Sequence, residues 1–392
     1  MKRNILLVAA AFAAATVSAQ SPAYRLKITQ KNGTLTYMLT DDVKEMKFVK
    51  LGKVKVNLSE RYATSTSLGV NLDFESNVSR LKAVCVPASQ TIDDPQAYIE
   101  EHCDVSSVVP YKKAWDFLTP ETDYVVYALA YDSNGLPSEV SKLALRTGKA
   151  EDDPFNVEAK NVTTTSLDYV VSSKKDGVNF VVQTTGMEMY NKWCDDGDNN
   201  GDVFQHFVSF WKSMAKLYGT TWQEMISLDA KTGTYDSEAD YNTQKTLLWD
   251  ADQVIITFGV TSDGELVTPI QTTKVRTLAP VPSSNTIKLE LKSNAWRDVV
   301  VTATTSNDDT YLVNVQRASL VDPHLKDGDL VKWLLNSGTD YSLYSKSGSQ
   351  DWEFTPNKGG EKYYAIGIGV DANGAPTTEP VLIDFVLPEG SF

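Results

Sequence analysis

Cysteine and histidine are both scarce in this sequence, with three residues of each in a chain of 392. Small disulfide-stapled domains need a denser cysteine framework, so buried apolar side chains must hold each fold here. No two histidines lie at the spacing of zinc ligands. A Gly-x-Ser-x-Gly elbow, a phosphate-binding loop and a dinucleotide fingerprint are also missing. We therefore predict a protein that is not an enzyme, although its 51 acidic residues leave room for a carboxylate pair that composition cannot single out.

The sequence also lacks an apolar run long enough to cross a bilayer, which takes about 20 residues. Its one marked run, residues 5–17, follows Lys2 and Arg3 and ends in the small residues Val17-Ser18-Ala19. This pattern is typical of a secretory signal peptide. We expect residues 1–19 to be removed and the protein to be exported without a membrane span. Because no cysteine follows the predicted cleavage site, the sequence does not predict a lipoprotein.

Positive charge is in the minority, since the formal net charge is −14. A field of this sign repels phosphate backbones and anionic lipid surfaces. Nucleic acid and acidic membranes are therefore excluded as expected partners.

Internal repetition is the strongest pattern that the sequence does contain. The stretches YALAYDSNGLPSEV, ITFGVTSDGELVTP and AIGIGVDANGAPTTEP start at residues 127, 256 and 365. Each has an alternating strand, then Asn-Gly or Asp-Gly, then a second extended segment. Asn or Asp before Gly favours a two-residue hairpin turn. The glycines Gly135, Gly264 and Gly374 therefore mark three copies of one domain rather than the short repeats of a solenoid.

Two polar linkers, residues 146–155 and 276–286, separate the three copies. Within each copy, short strands alternate with turns, which predicts antiparallel β-sandwiches. The predicted fold is mainly β, with sandwiches at residues 51–149, 154–278 and 284–389. A small β leader at residues 20–50, with two strands around Asn32-Gly33 and a short third strand, precedes them.

The first copy carries a motif that resembles a known family. Residues 118–124 read Leu-x-Pro-x-Thr-x-Tyr, with Pro120 and Tyr124, directly before an apolar strand. This resembles the tyrosine corner of fibronectin type III modules, in which the tyrosine hydroxyl bonds to nearby backbone. The third copy keeps Pro356 and Tyr363 around an insertion, whereas the second copy has no tyrosine there.

Thr-Ser-Leu at residues 66–68 and 165–167 also resembles the second strand of such modules, although the tryptophan usual in that strand is absent. The chain is thus similar to fibronectin type III-like or immunoglobulin-like domains. Its layout, a β leader before tandem sandwiches, is similar to exported proteins of Bacteroidota.

Each copy also contains a predicted helical insert, starting near Asp93, residue 190 and Asp322. The insert of the second copy, about residues 190–230, is the largest and predicts two helices. An apolar stripe is expected on one face of its first helix, formed by Val203, Phe207, Phe210, Met214 and Leu217. Asp202 is the expected N-cap of this helix, and Thr221 with Glu224 forms a predicted capping box for the next.

A calcium-like pattern precedes this insert helix. Asp196, Asp198, Asn200 and Asp202 alternate as in the first half of an EF-hand loop. The twelfth position is Phe207, however, where a bidentate carboxylate should close the shell. The third copy has a similar Gly-Asp-apolar start with fewer carboxylates, which favours a helix cap. A calcium site stays the alternative, and no other cofactor is expected.

Two cysteines of the first copy allow a disulfide. Cys85 lies on a predicted strand and Cys103 ends the insert, so a bridge between them would fasten the insert to the sheet. Two buried thiols are the equal alternative. Cys194 is expected to be buried.

Aromatic residues are dense in the second insert. The expected ligand-binding residues are Trp193, Phe204, Trp211, Tyr218 and Trp222. The simpler interpretation is that these rings dock the insert on its sandwich. The other is a surface that binds a glycan or a protein partner. The two functional hypotheses are therefore a non-catalytic binding protein and a structural or adhesive spacer rod at the cell surface.

Calcium tests the interpretation of the acidic stretch. If it only caps a helix, calcium at millimolar concentration should leave the thermal unfolding midpoint where a chelator leaves it. A true site would stabilise the folded chain by about 2.7 kcal/mol at a hundredfold excess over its Kd. A rise in the midpoint that Asp196→Ala abolishes would contradict the cap interpretation.

Overall fold

The structure is a computed structural model. It describes residues 24–30, 33–46, 54–74, 77–103, 105–107, 111–195 and 203–390. The predicted signal peptide and the predicted loop at Asp196, Asp198, Asn200 and Asp202 lie outside the described residues. In the part that is described, no helix is both long enough and apolar enough to cross a membrane.

The chain divides into two units, residues 1–53 and 54–392. In the first unit, β1 (Arg25–Thr29) and β2 (Leu35–Leu39) form an antiparallel pair in which Leu26 lies opposite Met38. A short 3-10 helix, Thr40–Asp42, follows. The predicted third strand extends into residues 47–53, outside the described part.

The second unit begins with a sandwich of a three-stranded and a four-stranded sheet. The sheet orders are β3-β4-β7 and β6-β5-β8-β9. The elements in chain order are β3 (Val56–Ala63), β4 (Leu68–Phe74), β5 (Val78–Pro87), α1 (Pro95–His102), β6 (Val105–Ser107), β7 (Tyr111–Trp115), β8 (Asp123–Asp132) and β9 (Ser141–Arg146).

The second sandwich has two three-stranded sheets, β10-β11-β13 and β12-β14-β15. Three helices separate β12 from β13. Its elements are β10 (Phe155–Lys160), β11 (Asp168–Ser173), β12 (Asn179–Gly186), α2 (Met187–Asp195), α3 (Val203–Tyr218), α4 (Trp222–Asp229), β13 (Thr234–Asp236), β14 (Asp252–Val260) and β15 (Gln271–Arg276).

The third sandwich repeats this order with the sheets β16-β17-β19 and β18-β20-β21. Its elements are β16 (Ile287–Ala295), β17 (Asp298–Thr305), β18 (Tyr311–Arg317), α5 (Ala318–Asp327), α6 (Leu330–Leu335), β19 (Gln350–Phe354), β20 (Lys362–Gly369) and β21 (Val381–Val386). The predicted fold class, tandem fibronectin type III-like sandwiches with helical inserts, is confirmed.

The inserts cover the outer faces of the second sheets. In β14, Ile255 points into the sandwich core, whereas Val254, Ile256 and Phe258 point outward and are fully buried beneath the insert. In the first sandwich, Ile99 of α1 packs in the same way over β5 and β8. A strand that is apolar on both faces must be buried on both faces. The other sheet of the sandwich covers one face, and the insert covers the other.

The three predicted hairpins are present, with a different loop length. In the first, the Asp132 N–H donates to the Leu136 carbonyl and the Gly135 N–H donates to the Asp132 carbonyl. The other two repeat this pattern at Gly264 and Gly374. Three residues with a final left-handed glycine therefore form each loop, rather than the two that the Asn-Gly or Asp-Gly pair predicts.

A hydrogen bond to the residue five positions back recurs at the start of one strand in each sandwich. The Thr119 N–H donates to the hydroxyl oxygen of Tyr124, the second residue of β8, at 3.0 Å. Tyr363, the second residue of β20, donates its hydroxyl to the Lys358 carbonyl at 3.2 Å. Both tyrosines are buried. We call this place the corner position; in the second sandwich Gln253 occupies it.

The Thr/Ser-rich turns connect each sandwich to the next. The turn at residues 64–67 presents Ser65, whose N–H donates to a carboxylate oxygen of Asp153 at 2.7 Å and whose hydroxyl donates to the other. The equivalent turn at residues 163–166 presents Thr164, whose hydroxyl donates to Asp371 in the third hairpin at 2.7 Å. The residue directly before each Thr-Ser-Leu motif thus bonds across the junction to the next sandwich.

A buried carboxylate lies at the first junction. Asp116, which follows β7, accepts hydrogen bonds from the hydroxyls of Ser67, of Tyr190 at 2.5 Å and of Thr272 at 3.4 Å. The last two belong to the second sandwich. Burial raises the pKa of the Asp116 carboxyl above its ordinary value, because it outweighs the opposing hydrogen bonds and the nearby Lys113 cation.

No disulfide joins the two candidate cysteines in the described chain. Cys85 packs on the inner core of the first sandwich, whereas Cys103 packs on the outer face with Ile99. Successive residues of a strand point to opposite faces, so the sheet separates the two thiols. Of the two alternatives, the structure therefore has free thiols at Cys85 and Cys103, on opposite faces of the sheet, and not a disulfide. Cys194 is buried, as expected.

We expect Tyr124→Phe to destabilise the first sandwich by about 1–3 kcal/mol, because the Thr119 N–H loses its acceptor. Tyr127→Phe is the matched control, since its hydroxyl bonds to no described residue. Chemical denaturation of both variants measures the difference. Equal losses in the two variants would contradict a structural role for the corner hydroxyl.

Asp116 should give the stability a recognisable pH dependence. A carboxyl whose pKa is higher in the folded chain keeps its proton over a pH range in which the unfolded chain has lost it. Folding then takes up a proton, so the unfolding free energy falls as pH rises through that range. Asp116→Asn should remove this fall, which begins above about pH 4, where the carboxyl of the unfolded chain loses its proton. The exposed Asp298→Asn should not remove it. Parallel profiles for Asp116→Asn and the parent protein would contradict the assignment.

Candidate ligand-binding cleft

The second insert docks on its sheet through aromatic rings. Phe204 and Phe207 of α3 contact Phe258 of β14, with ring centroids 5.4 and 5.1 Å apart. Trp211, 1% exposed, packs beside them and donates its indole N–H to Asp229 at 2.6 Å. This arrangement fixes α3 and α4 to the sheet and to each other.

The buried face of α3 is rotated from the predicted stripe. Its buried residues are Val203, Phe204, Phe207, Val208, Trp211 and Ala215. Phe210 and Leu217, both expected inside, are exposed. The side of α3 that faces Phe258 carries more apolar residues than can be buried at once. The shape of the sheet beneath α3 determines which of them are buried. The capping box of α4 at Thr221 and Glu224 is confirmed, whereas α2 was not predicted.

A cleft of about 250 Å³ opens where this insert meets the strands. Trp193 of α2 and Phe210 of α3 contribute aromatic side chains, and Trp193 stacks on His206 with centroids 4.2 Å apart and planes 14° from parallel. The other lining residues are Val181, Val182, Gln183, His206, Phe207, Asp229, Lys231, Tyr235 and Asn242. Phe210 is 48% exposed, so its ring is open to a ligand.

Polar groups line the same cleft. The Asn242 amide donates to the Tyr235 hydroxyl at 2.9 Å, and the Lys231 ammonium lies 5.0 Å from the centre of the Tyr235 ring. The backbone of Lys231 pairs with Phe180 of β12 in both directions, at 3.0 and 2.7 Å. Pairing with β12 therefore fixes the backbone of Lys231, whose side chain lines the same cleft as the Asn242 amide and the Asp229 carboxylate. Together with flat rings, this combination suits a small polar ligand.

The five predicted ligand-binding residues do not form one surface. Trp193 lies in the cleft. Phe204 and Trp211 belong to the core of the insert, so the expectation that they contact a ligand is corrected. Trp222 is partly buried against that core, and Tyr218 is 70% exposed near the end of α3.

Several cleft residues were not predicted. His206 and Phe210 lie one helical turn apart on α3, a spacing that could have marked them as one face. Lys231, Tyr235 and Asn242 come from the connection around β13, where no sequence pattern indicates a site. Their convergence with Trp193 depends on how the insert folds back over β12.

Each histidine stacks on an aromatic ring of its own insert. The centroid distances are 4.3 Å for His102 on Tyr98, 4.2 Å for His206 on Trp193 and 4.5 Å for His324 on Trp333. Among the described residues, no group of three His, Cys, Asp or Glu side chains is arranged to hold a metal ion. The histidines thus position rings, and the Trp193–His206 pair is the one that faces the cleft.

No family model matches the sequence, and no curated protein matches it. Among solved structures, the chain is similar to the FN1–FN3 domains of chicken CNTN1, at 10% identity over 86% of this chain and 98% of that chain, with a TM-score of 0.18. It is similar to the central fibronectin-III array of RIM-binding protein, at 11% identity over 85% and 97%, with a TM-score of 0.19. Chitinase ChiA74 from Bacillus thuringiensis matches at 18% identity over 34% and 19%, with a TM-score of 0.18. At such low TM-scores these similarities carry no argument about function.

Proposed function

We propose that this chain is an exported, non-catalytic binding protein that holds a glycan in the cleft of its second insert. The observation that carries the proposal is that one small cleft combines the aromatic rings of Trp193 and Phe210 with amide and charged groups. Sugar rings stack on aromatic faces through their C–H groups, and their hydroxyls need hydrogen-bond partners on the same side.

The size of the cleft supports a small ligand. Its volume, about 250 Å³, is close to the lower end of small-molecule sites. A stable protein interface buries at least about 1,000 Å² instead. A protein partner would have to use a wider surface, such as the outer side of α3 with the exposed Leu217 and Tyr218.

Within this proposal the signal peptide occupies residues 1–19 and the leader residues 20–50. The three sandwiches occupy residues 51–149, 154–278 and 284–389. In this proposal the first and third sandwiches act as spacers on either side of the second, which contains the glycan cleft.

A spacer or adhesive rod at the cell surface is the second candidate function. The bonds from Ser65 to Asp153 and from Thr164 to Asp371 support it, since they connect successive sandwiches at equivalent turns. A spacer needs these junctions but no ligand in the cleft.

A glycan array probed with the full chain tests the proposal. Trp193→Ala should weaken binding of the recognised glycan about tenfold, which corresponds to about 1.4 kcal/mol, because the sugar ring loses the face on which it stacks. Trp333→Ala is the matched control, since Trp333 also stacks on a histidine but lies in the third insert. Equal weakening by both variants, or an array with no bound glycan, would contradict glycan binding and favour the spacer.

A further inference from the structure

The corner position of the second sandwich differs from the other two. Tyr124 and Tyr363 fill it with a buried ring, whereas Gln253 has a shorter side chain. Its amide nitrogen donates to the Leu248 carbonyl at 3.2 Å, five residues back, and to the Ala251 carbonyl at 3.5 Å. The glutamine therefore reproduces the backbone bond of the corner but not the volume of the ring.

The amide oxygen of Gln253 is left without a partner. Gln253 is 1% exposed, and no hydrogen-bond donor of the described chain reaches its Oε1 atom. A buried acceptor without a donor is unfavourable and rare in folded proteins. The oxygen is itself enclosed, so an N–H or O–H donor of a ligand reaches it only when the neighbouring side chains move.

Gln253 is one of the residues that line a cleft of about 580 Å³. It runs between the start of α2, the chain before β14 and α6 of the third sandwich. The lining residues are Gly186, Met187, Glu188, Met189, Lys192, Thr246, Leu247, Leu248, Ala251, Asp252, Gln253, Lys332 and Asn336. Lys332 donates to Glu188 across it at 2.9 Å, so both sandwiches contribute to one site.

The strand beside the corner also leaves space. Gly186 of β12 lies opposite Gln253 in the ladder, and a Cβ atom there would lie 3.6 Å from Oε1. In the first sandwich the corner residue Tyr124 lies opposite Pro87. The second sandwich thus has Gly186 and Gln253 where the first has Pro87 and Tyr124, and both of these smaller residues line the cleft.

The lining indicates what kind of ligand fits. None of the described lining residues is aromatic, so a sugar ring has no face on which to stack. Met187, Leu247 and Leu248 offer adaptable apolar contact. Lys192 makes no ion pair with any described residue, whereas Asp252 is already paired with Lys274 and Arg276. The unpaired charge in the cleft is therefore positive.

We propose that this cleft is a second ligand site, independent of the glycan cleft, that binds a short acidic peptide segment. A backbone N–H of the peptide donates to Gln253 Oε1, and a peptide carboxylate pairs with Lys192. Apolar peptide side chains rest on Met187 and Leu248.

An array of all hexapeptides built from Gly, Leu, Ser and Asp, with a matching array in which Lys replaces Asp, supplies the probes. The full chain should bind members of the Asp array and not their Lys counterparts. Lys192→Ala should reduce binding of the best peptide about tenfold, whereas Lys216→Ala, an exposed lysine on α3, should leave it unchanged. Binding of no Asp peptide, or equal binding of both arrays, would overturn the proposal.

Gln253→Tyr provides the sharper variant. It restores the ring of the other two corners, so we expect the unfolding midpoint to stay equal or rise while peptide binding is lost. Asn336→Trp blocks the cleft from the third sandwich without touching the corner, and Asn134→Trp, in an exposed hairpin of the first sandwich, is its control. Trp193→Ala should leave peptide binding intact. Retained binding in both Gln253→Tyr and Asn336→Trp would show that the peptide does not occupy this cleft.

Discussion

The second sheet of each sandwich is apolar on both faces, and the rest of the structure depends on covering its outer face. In the second sandwich the outward row of β14 includes Phe258, which would be exposed without the insert. Burying such a row stabilises the fold by roughly 25 cal/mol per Å² of apolar surface. The helices that provide this cover also bring Trp193, His206 and Phe210 to the edge of β12, so the cleft there is a consequence of the same packing.

The sequence predicts those features whose cause is local. An Asn-Gly or Asp-Gly pair favours a turn with a left-handed glycine, as at Gly135, Gly264 and Gly374, and Thr221 caps its own helix with Glu224. Alternation along a strand is equally local, which is why the sandwiches and their inserts were predictable. The loop length of the hairpins was not, because the same glycine also fits a loop of three residues.

Features that depend on distant partners were not predictable. Which residues of α3 turn inward is decided by the shape of the sheet at Phe258, and α3 offers several apolar choices. Cys85 and Cys103 are close in sequence, but the pleat sends them to opposite faces. In the sequence, the second copy simply lacks the tyrosine of the corner motif, and nothing indicates that Gln253 takes its position. The role of Gln253 becomes clear only from its hydrogen bond to the Leu248 carbonyl, five residues back, and from Gly186 opposite it in the ladder.

The turns at Ser65 and Thr164 have a mechanical consequence. Each contributes one or two side-chain bonds across a junction. Asp116 adds its bonds with Tyr190 and Thr272 at the first junction, and Lys332 adds its bond with Glu188 at the second. These contacts are few compared with the full strand ladders that close each sandwich. Under tension along the chain, the junctions would therefore part before any sheet unzips. The protein would then lengthen and recover by re-forming these junction contacts, with every sandwich still folded.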